Sequence, residues 1–108
     1  MIKNIKSILD IINKYELFLF DQWGVVHDGE NIFPDAENIF KILQEKQKKV
    51  FIISNSGKKS PENIHRMKKL GANHILNFPI ITSGDVCYDL LINNKEPFQN
   101  IGNKYFVI

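Results

Sequence analysis

Glu16-Leu17-Phe18-Leu19-Phe20-Asp21-Gln22-Trp23-Gly24 is the stretch that decides the fold: an apolar run that ends in a carboxylate, followed at once by a polar break. A short, continuous apolar run bounded in this way predicts a strand buried on both faces, as in a parallel α/β sheet. Such a strand delivers its last side chain to the carboxyl edge of the sheet, where ligand sites collect. Asp21 is therefore the first candidate functional residue. A second run, Lys49-Val50-Phe51-Ile52-Ile53, ends the same way in Ser54-Asn55-Ser56-Gly57. Two strands would thus present an acid and a hydroxyl/amide pair at one edge, which is the chemistry of a phosphate site.

Outward from these runs, strand and helix alternate. Gly24 to Phe33 holds the tight-turn dipeptide Asp28-Gly29 between short β-prone pieces, which predicts a small hairpin or flap. Pro34, Asp35 and Glu37 then suit the start of a helix whose buried stripe is Ile39, Phe40, Ile42 and Leu43. After the second strand, Ser60 as cap and Pro61 as first residue open another helix, with Ile64, Met67 and Leu70 inward and Gly71 as the stop. Phe78-Pro79-Ile80-Ile81 is a third strand candidate. Thr82-Ser83-Gly84-Asp85 caps a further helix carrying Val86, Leu90 and Leu91, ended by Asn93-Asn94, and Ser83 is explained as part of that cap. Residues 1–15 place Ile5, Ile8, Leu9 and Ile12 at helical spacing and predict an amphipathic helix separate from the unit at 16–108. Joined by right-handed crossovers, these pieces make a doubly wound parallel α/β sheet.

The chain has 108 residues, room for one small domain. Its 14 basic and 12 acidic residues are interspersed, so the net charge of +2 implies no nucleic-acid partner. No run approaches the roughly 20 apolar residues of a membrane span. The single Cys87 has no partner for a disulfide or a zinc site; it reads as a small apolar filler on a helix, and with the absence of a leader it points to a cytoplasmic protein. His27, His65 and His74 are too scattered for metal spacing. The end of the sequence, Asn103 to Ile108, has the density of a sheet strand and stops at its most apolar point, so the domain reads as the amino-terminal part of a larger sheet. An unpaired strand there and an open sheet edge predict self-association.

Three ordered motifs carry a family resemblance: Phe20-Asp21-Gln22-Trp23-Gly24-Val25-Val26-His27-Asp28-Gly29, Phe51-Ile52-Ile53-Ser54-Asn55-Ser56-Gly57-Lys58-Lys59-Ser60, and Ile81-Thr82-Ser83-Gly84. Together they resemble the amino-terminal part of the haloacid dehalogenase superfamily, closest to the class IIA hydrolases of nitrophenyl phosphatase and pyridoxal phosphate phosphatase type. The resemblance implies a Rossmann-like core, incomplete here, lacking its cap domain and the carboxyl-terminal part of the core. It implies a small phosphorylated substrate, Mg2+ as cofactor, and Asp21 as both the phosphoryl-accepting nucleophile and a metal ligand. The main-chain carbonyl of Trp23 matches the second metal ligand, and Ser54 with Asn55 matches the phosphate cradle.

Two departures bear on activity. The family's phosphatases usually carry a second Asp two residues after the nucleophile as general acid and base, and this chain has Trp23, whose indole cannot shuttle that proton. His27 and Asp28 of the flap are the nearest substitutes. The family's downstream Lys and acidic pair lie beyond Ile108, and Lys58 and Lys59 read better as a solvated loop than as replacements. The expected function is therefore the amino-terminal portion of a magnesium-dependent phosphohydrolase, inactive alone. The alternatives are a non-catalytic remnant of a split gene and a phosphate- or nucleotide-binding module completed by a partner chain.

Overall fold

A computed structural model describes residues 4–102 together with Lys104 and Phe106. Both decisive runs are strands. β1 spans Leu17–Asp21 and β2 spans Lys49–Ser54, and they pair in parallel with Leu17 opposite Lys49 and Asp21 opposite Ile53. β3, Ile80–Thr82, pairs in parallel with the far side of β2, giving the sheet order β1-β2-β3. The architecture is the expected Rossmann-like α/β layer in incomplete form. Among the described residues no helix is long and apolar enough to cross a membrane.

Three helices follow the strands. α1, Pro34–Glu45, begins at the proline with Asp35 and Glu37 in its first turn, where the helix dipole favours acids. Glu37 also accepts 2.7 Å hydrogen bonds from the amides of Asn73 and His74, tying α1 to a 3-10 turn at His74–Asn77 that the sequence pattern did not reveal. α2, Ser60–Lys69, is capped by Lys59 without a side-chain bond, so Ser60 is not the cap. Its hydroxyl and amide instead donate to Asp85. Ile64 is exposed, and the helix buries Asn63 and Met67. α3, Ser83–Ile92, is capped by Thr82 in a capping box with Asp85, which makes Ser83 its first residue and not its cap.

The amino-terminal segment departs from expectation more strongly. Its described part forms only one 3-10 turn, Ile8–Asp10, closed by Ser7 and Asp10 in a capping box. A run so rich in β-branched Ile and in Asn propagates a helix poorly, and burying Ile12 in the core takes precedence. Cys87 is exposed and fills nothing. The strand expected at 103–108 lies outside the described residues.

Among the described residues the core is one-sided. Phe18, Val50, Ile52 and Ile80 are buried beneath Phe40 and Leu43 of α1, Met67 of α2 and Ile75 of the 3-10 turn. Registered partners share a face, and the opposite face carries Leu17, Leu19, Ile53 and Ile81, all exposed, with Asp21 at its upper edge.

Candidate active site

Asp21 ends β1 on the open face, and Ser54 ends β2 on the buried one, yet both reach the same carboxyl edge. They line one open depression of about 520 Å3, together with Asn55, Ile53, Ile81 and Val86. The structure therefore brings together three of the residues the sequence singled out. The Asp21 carboxylate accepts a 2.8 Å hydrogen bond from the Gln22 amide, which also donates to the Ile53 carbonyl, so the strand end is clamped while the carboxylate stays exposed.

The chain next turns sharply. Gly24 at φ +77° donates to the His27 carbonyl at 2.8 Å, and Val26 donates to the Gln22 carbonyl at 2.9 Å. The predicted hairpin is a flap held by isolated bridges between Trp23 and His27 and between His27 and Ile32, with no regular strand. At its tip the Asp28 carboxylate accepts from the amides of Glu30 and Asn31. These backbone donors, Asn31 foremost, hold Asp28 below the usual carboxylate range. Asp28 is thus a turn residue and poorly suited to hold a proton for a leaving group.

Trp23 stands over this flap. Its indole lies directly against Gly29, where any Cβ would collide with the ring. The His27 ring packs edge-on 5.3 Å away, and the Arg66 guanidinium of α2 sits 5.3 Å above the indole centroid. Arg66 Nη2 also donates to the Gly29 carbonyl at 3.1 Å. His27 is buried and its Nδ1 accepts from the Gly29 amide. Burial first, and the neighbouring Arg66 cation second, hold this imidazole below its ordinary value against the opposite pull of Asp28. The ring is neutral near pH 7, with the proton left to Nε2.

The second motif is braced from behind. The Ser54 hydroxyl oxygen accepts from the Ser56 amide at 3.2 Å, which leaves its O–H as a donor toward the depression. Buried Asn63 donates to the Lys58 and Lys59 carbonyls and to the Ser56 hydroxyl. Gly84 donates to the Ser56 carbonyl at 3.0 Å and approaches Gly57 so closely that a side chain there would strike its backbone. Lys59 is not a free loop cation: its ammonium lies 3.5 Å from the Tyr88 ring centroid. Asn63 and Arg66 are site-shaping residues that sequence reasoning missed, and Gly84 and Asp85 brace the neighbouring loop and α2 beyond the motif and cap roles read for them. The buried polar position of Asn63, one turn before Met67 on the same helix face, was the available signal.

The donor set is thin for a magnesium ion. Asp21 supplies one carboxylate, and among the described residues no three acidic, His or Cys side chains gather to hold a metal. Octahedral oxygen ligation requires more than one carboxylate and one carbonyl from the protein or its ligands. The residues here therefore fit at most part of such a shell.

A family model described as haloacid dehalogenase-like hydrolase matches residues 18–108. A protein of Caenorhabditis elegans named for NipSnap is 33% identical over 92 residues, 83% of this chain and 18% of that protein. The 4-nitrophenylphosphatase of Schizosaccharomyces pombe is 33% identical over 57 residues, 53% of this chain and 19% of that enzyme. The crystal structure of a haloacid dehalogenase-like hydrolase from Brucella suis superposes with a TM-score of 0.73 at 31% identity, covering 81% of this chain and 33% of that one. A hypothetical protein from Pyrococcus horikoshii, at 22% identity and a TM-score of 0.59, shares the fold. The chain thus spans about a fifth of the curated relatives. With the match running from the second residue of β1 to the end, this chain belongs to the haloacid dehalogenase-like hydrolases, class IIA, and represents the amino-terminal part of their core.

Proposed function

We propose that this chain carries the nucleophile and the phosphate cradle of a phosphate-ester hydrolase. The observation that carries the reading is the single depression shared by exposed Asp21 and by Ser54 and Asn55. An ionised, accessible carboxylate at a strand end can attack phosphorus in line, forming an aspartyl phosphate as the ester oxygen leaves. The Ser54 O–H and the amides that follow it are donors for the phosphoryl oxygens, where charge is concentrated during transfer. The 4-nitrophenylphosphatase relative is consistent with phosphate esters as the substrate class.

Magnesium, where bound, would take Asp21 and the Trp23 carbonyl as ligands and screen the phosphate's charge. Proton delivery to the leaving group is the weak link, because Trp23 cannot supply it and Asp28 is committed to its turn. His27, which lines the neighbouring depression together with Ser54 and Asn55, is the remaining candidate of the flap. The isolated chain is therefore expected to show no measurable turnover, and to act only once further protein completes the site. The open sheet face beside Asp21 favours that partner-completed reading over an inert remnant.

Two measurements test this. Inorganic phosphate titrated into the labelled chain with magnesium should shift the amide resonances of Asn55 and Ser56, and Ser54→Ala should weaken the response. Release of phosphate from p-nitrophenyl phosphate should be absent. Turnover that survives Asp21→Asn would remove Asp21 from its assigned role.

A further inference from the structure

Arg66 lines three adjoining depressions. One, of about 190 Å3, lies between flap and α2 and is walled by Gln22, His27, Ser54 and Asn55. The others continue along α2 past Lys58, Glu62 and Lys69, with volumes of about 350 and 620 Å3. Ser54 and Asn55 are shared between the first of these and the depression holding Asp21. They form a ridge with the carboxylate on one side and the guanidinium on the other.

Arg66 is positioned rather than loose. One of its five N–H groups is fixed on the Gly29 carbonyl and its plane is held above Trp23, so the remaining donors are pre-organised with no partner among the described residues. Gln22, 2% exposed, lines the same depression, and its Oε1 has no hydrogen-bond partner, so it is open to an O–H or N–H of a ligand and leaves any oxyanion to Arg66. Glu62 is the one acid along the trough, against Arg66, Lys58 and Lys69.

We propose that this cleft selects phosphate esters whose organic part carries a second oxyanion, a carboxylate or a further phosphoryl group, with Arg66 as the specificity-determining residue. The inference rests on the phosphate site proposed above and names its substrate class. With the first phosphoryl group against Ser54 and Asn55, the remainder of a compact ester has the Arg66 side of the ridge as its polar wall. The guanidinium fork matches carboxylate and phosphate equally, so both belong to the expected class.

The test is binding, since turnover is not expected. Dissociation constants are measured by the same amide shifts for 3-phosphoglycerate, 1,3-propanediol bisphosphate and glycerol 3-phosphate; the last matches the first in size but replaces its carboxylate with a neutral hydroxymethyl group. Charge-assisted pairing predicts that one or both doubly anionic esters bind about tenfold tighter than glycerol 3-phosphate. Arg66→Gln should bring that ratio near unity, and Arg66→Lys should recover only part of it. Lys68→Gln removes the same net charge from α2 outside the cleft and should leave the ratio unchanged. Unchanged sheet amide shifts in Arg66→Gln establish that the fold is intact. Equal binding of all three esters, with inorganic phosphate still moving Asn55 and Ser56, overturns this inference alone. A ratio that Lys68→Gln lowers as much as Arg66→Gln also overturns it, as diffuse attraction. Failure of every phosphate compound to bind overturns the phosphate site along with it.

Discussion

Gly29 shows how one missing Cβ shapes the flap. Its φ of +101° is open to glycine and strained for other residues, and the space a methyl group would take is filled by the Trp23 indole. Gly29→Ala should therefore cost about 1–3 kcal/mol and displace the ring. Trp23 is the sole tryptophan, so its emission reports the change directly, and an unshifted spectrum would count against the packing described. His27 gives a pH prediction at the same scale. Its folded-state value lies below the ordinary 6.5, so the unfolded chain takes up the proton first as pH falls. Stability should be constant above about pH 7 and decline from 6.5 downward to the depressed value, with His27→Gln losing that dependence in a denaturant series. Asp21 and Ser54 were legible because a strand's last residue has a fixed destination. Arg66 and Gln22 were not, because their roles depend on a flap and a helix meeting across 37 residues of sequence, as the Arg66 to Gly29 bond shows.

At the level of elements, legibility followed the strength of local signals. β1, β2 and α1 were readable because a continuous apolar run and a proline with two following acids each have one plausible interpretation. The cap of α2 was misplaced by a residue, since Ser60 is a good cap type but gives its hydroxyl and amide to Asp85, while the cap of α3 was found in the right four residues, with Thr82 and not Ser83 as the capping residue. Asp85 serves two elements at once. Burial raises its pKa, but hydrogen bonds from Ser60 and Thr82 outweigh that and hold it below the usual range. The junction of α3 with the Ser54–Gly57 loop depends further on Gly84, which leaves no room for a side chain against the Gly57 backbone. Gly84→Ala should push the loop from β2, costing about 1–3 kcal/mol as an overpacked contact. Phosphate-induced shifts at Asn55 and Ser56 should weaken with it, although residue 84 touches no ligand in the proposed site. Retention of both stability and phosphate response would show that the loop is held by Asn63 alone.

At the scale of the molecule the governing imbalance, among the described residues, is a parallel sheet covered on one face only. Parallel sheets are ordinarily buried on both sides, because their strands are too apolar to face water. Here Leu19 is 60% exposed, and Leu17, Ile53 and Ile81 continue the same surface toward Val86 of α3. That surface ends at Asp21, so whatever covers it also approaches the proposed nucleophile. The sequence predicted association through an unpaired strand near the end, which lies outside the described residues, and through an open sheet edge; the described residues add an exposed apolar face. The isolated chain should consequently self-associate with rising concentration, through a surface that water disfavours. Leu19→Lys combined with Ile53→Lys places charge at its centre and should shift sedimentation toward the monomer. Both positions are solvent-exposed, so folding stability should change by only about 0.5 kcal/mol each. A wild-type chain that sediments as a monomer at its highest attainable concentration would contradict this, and so would a double variant that associates as strongly as its parent.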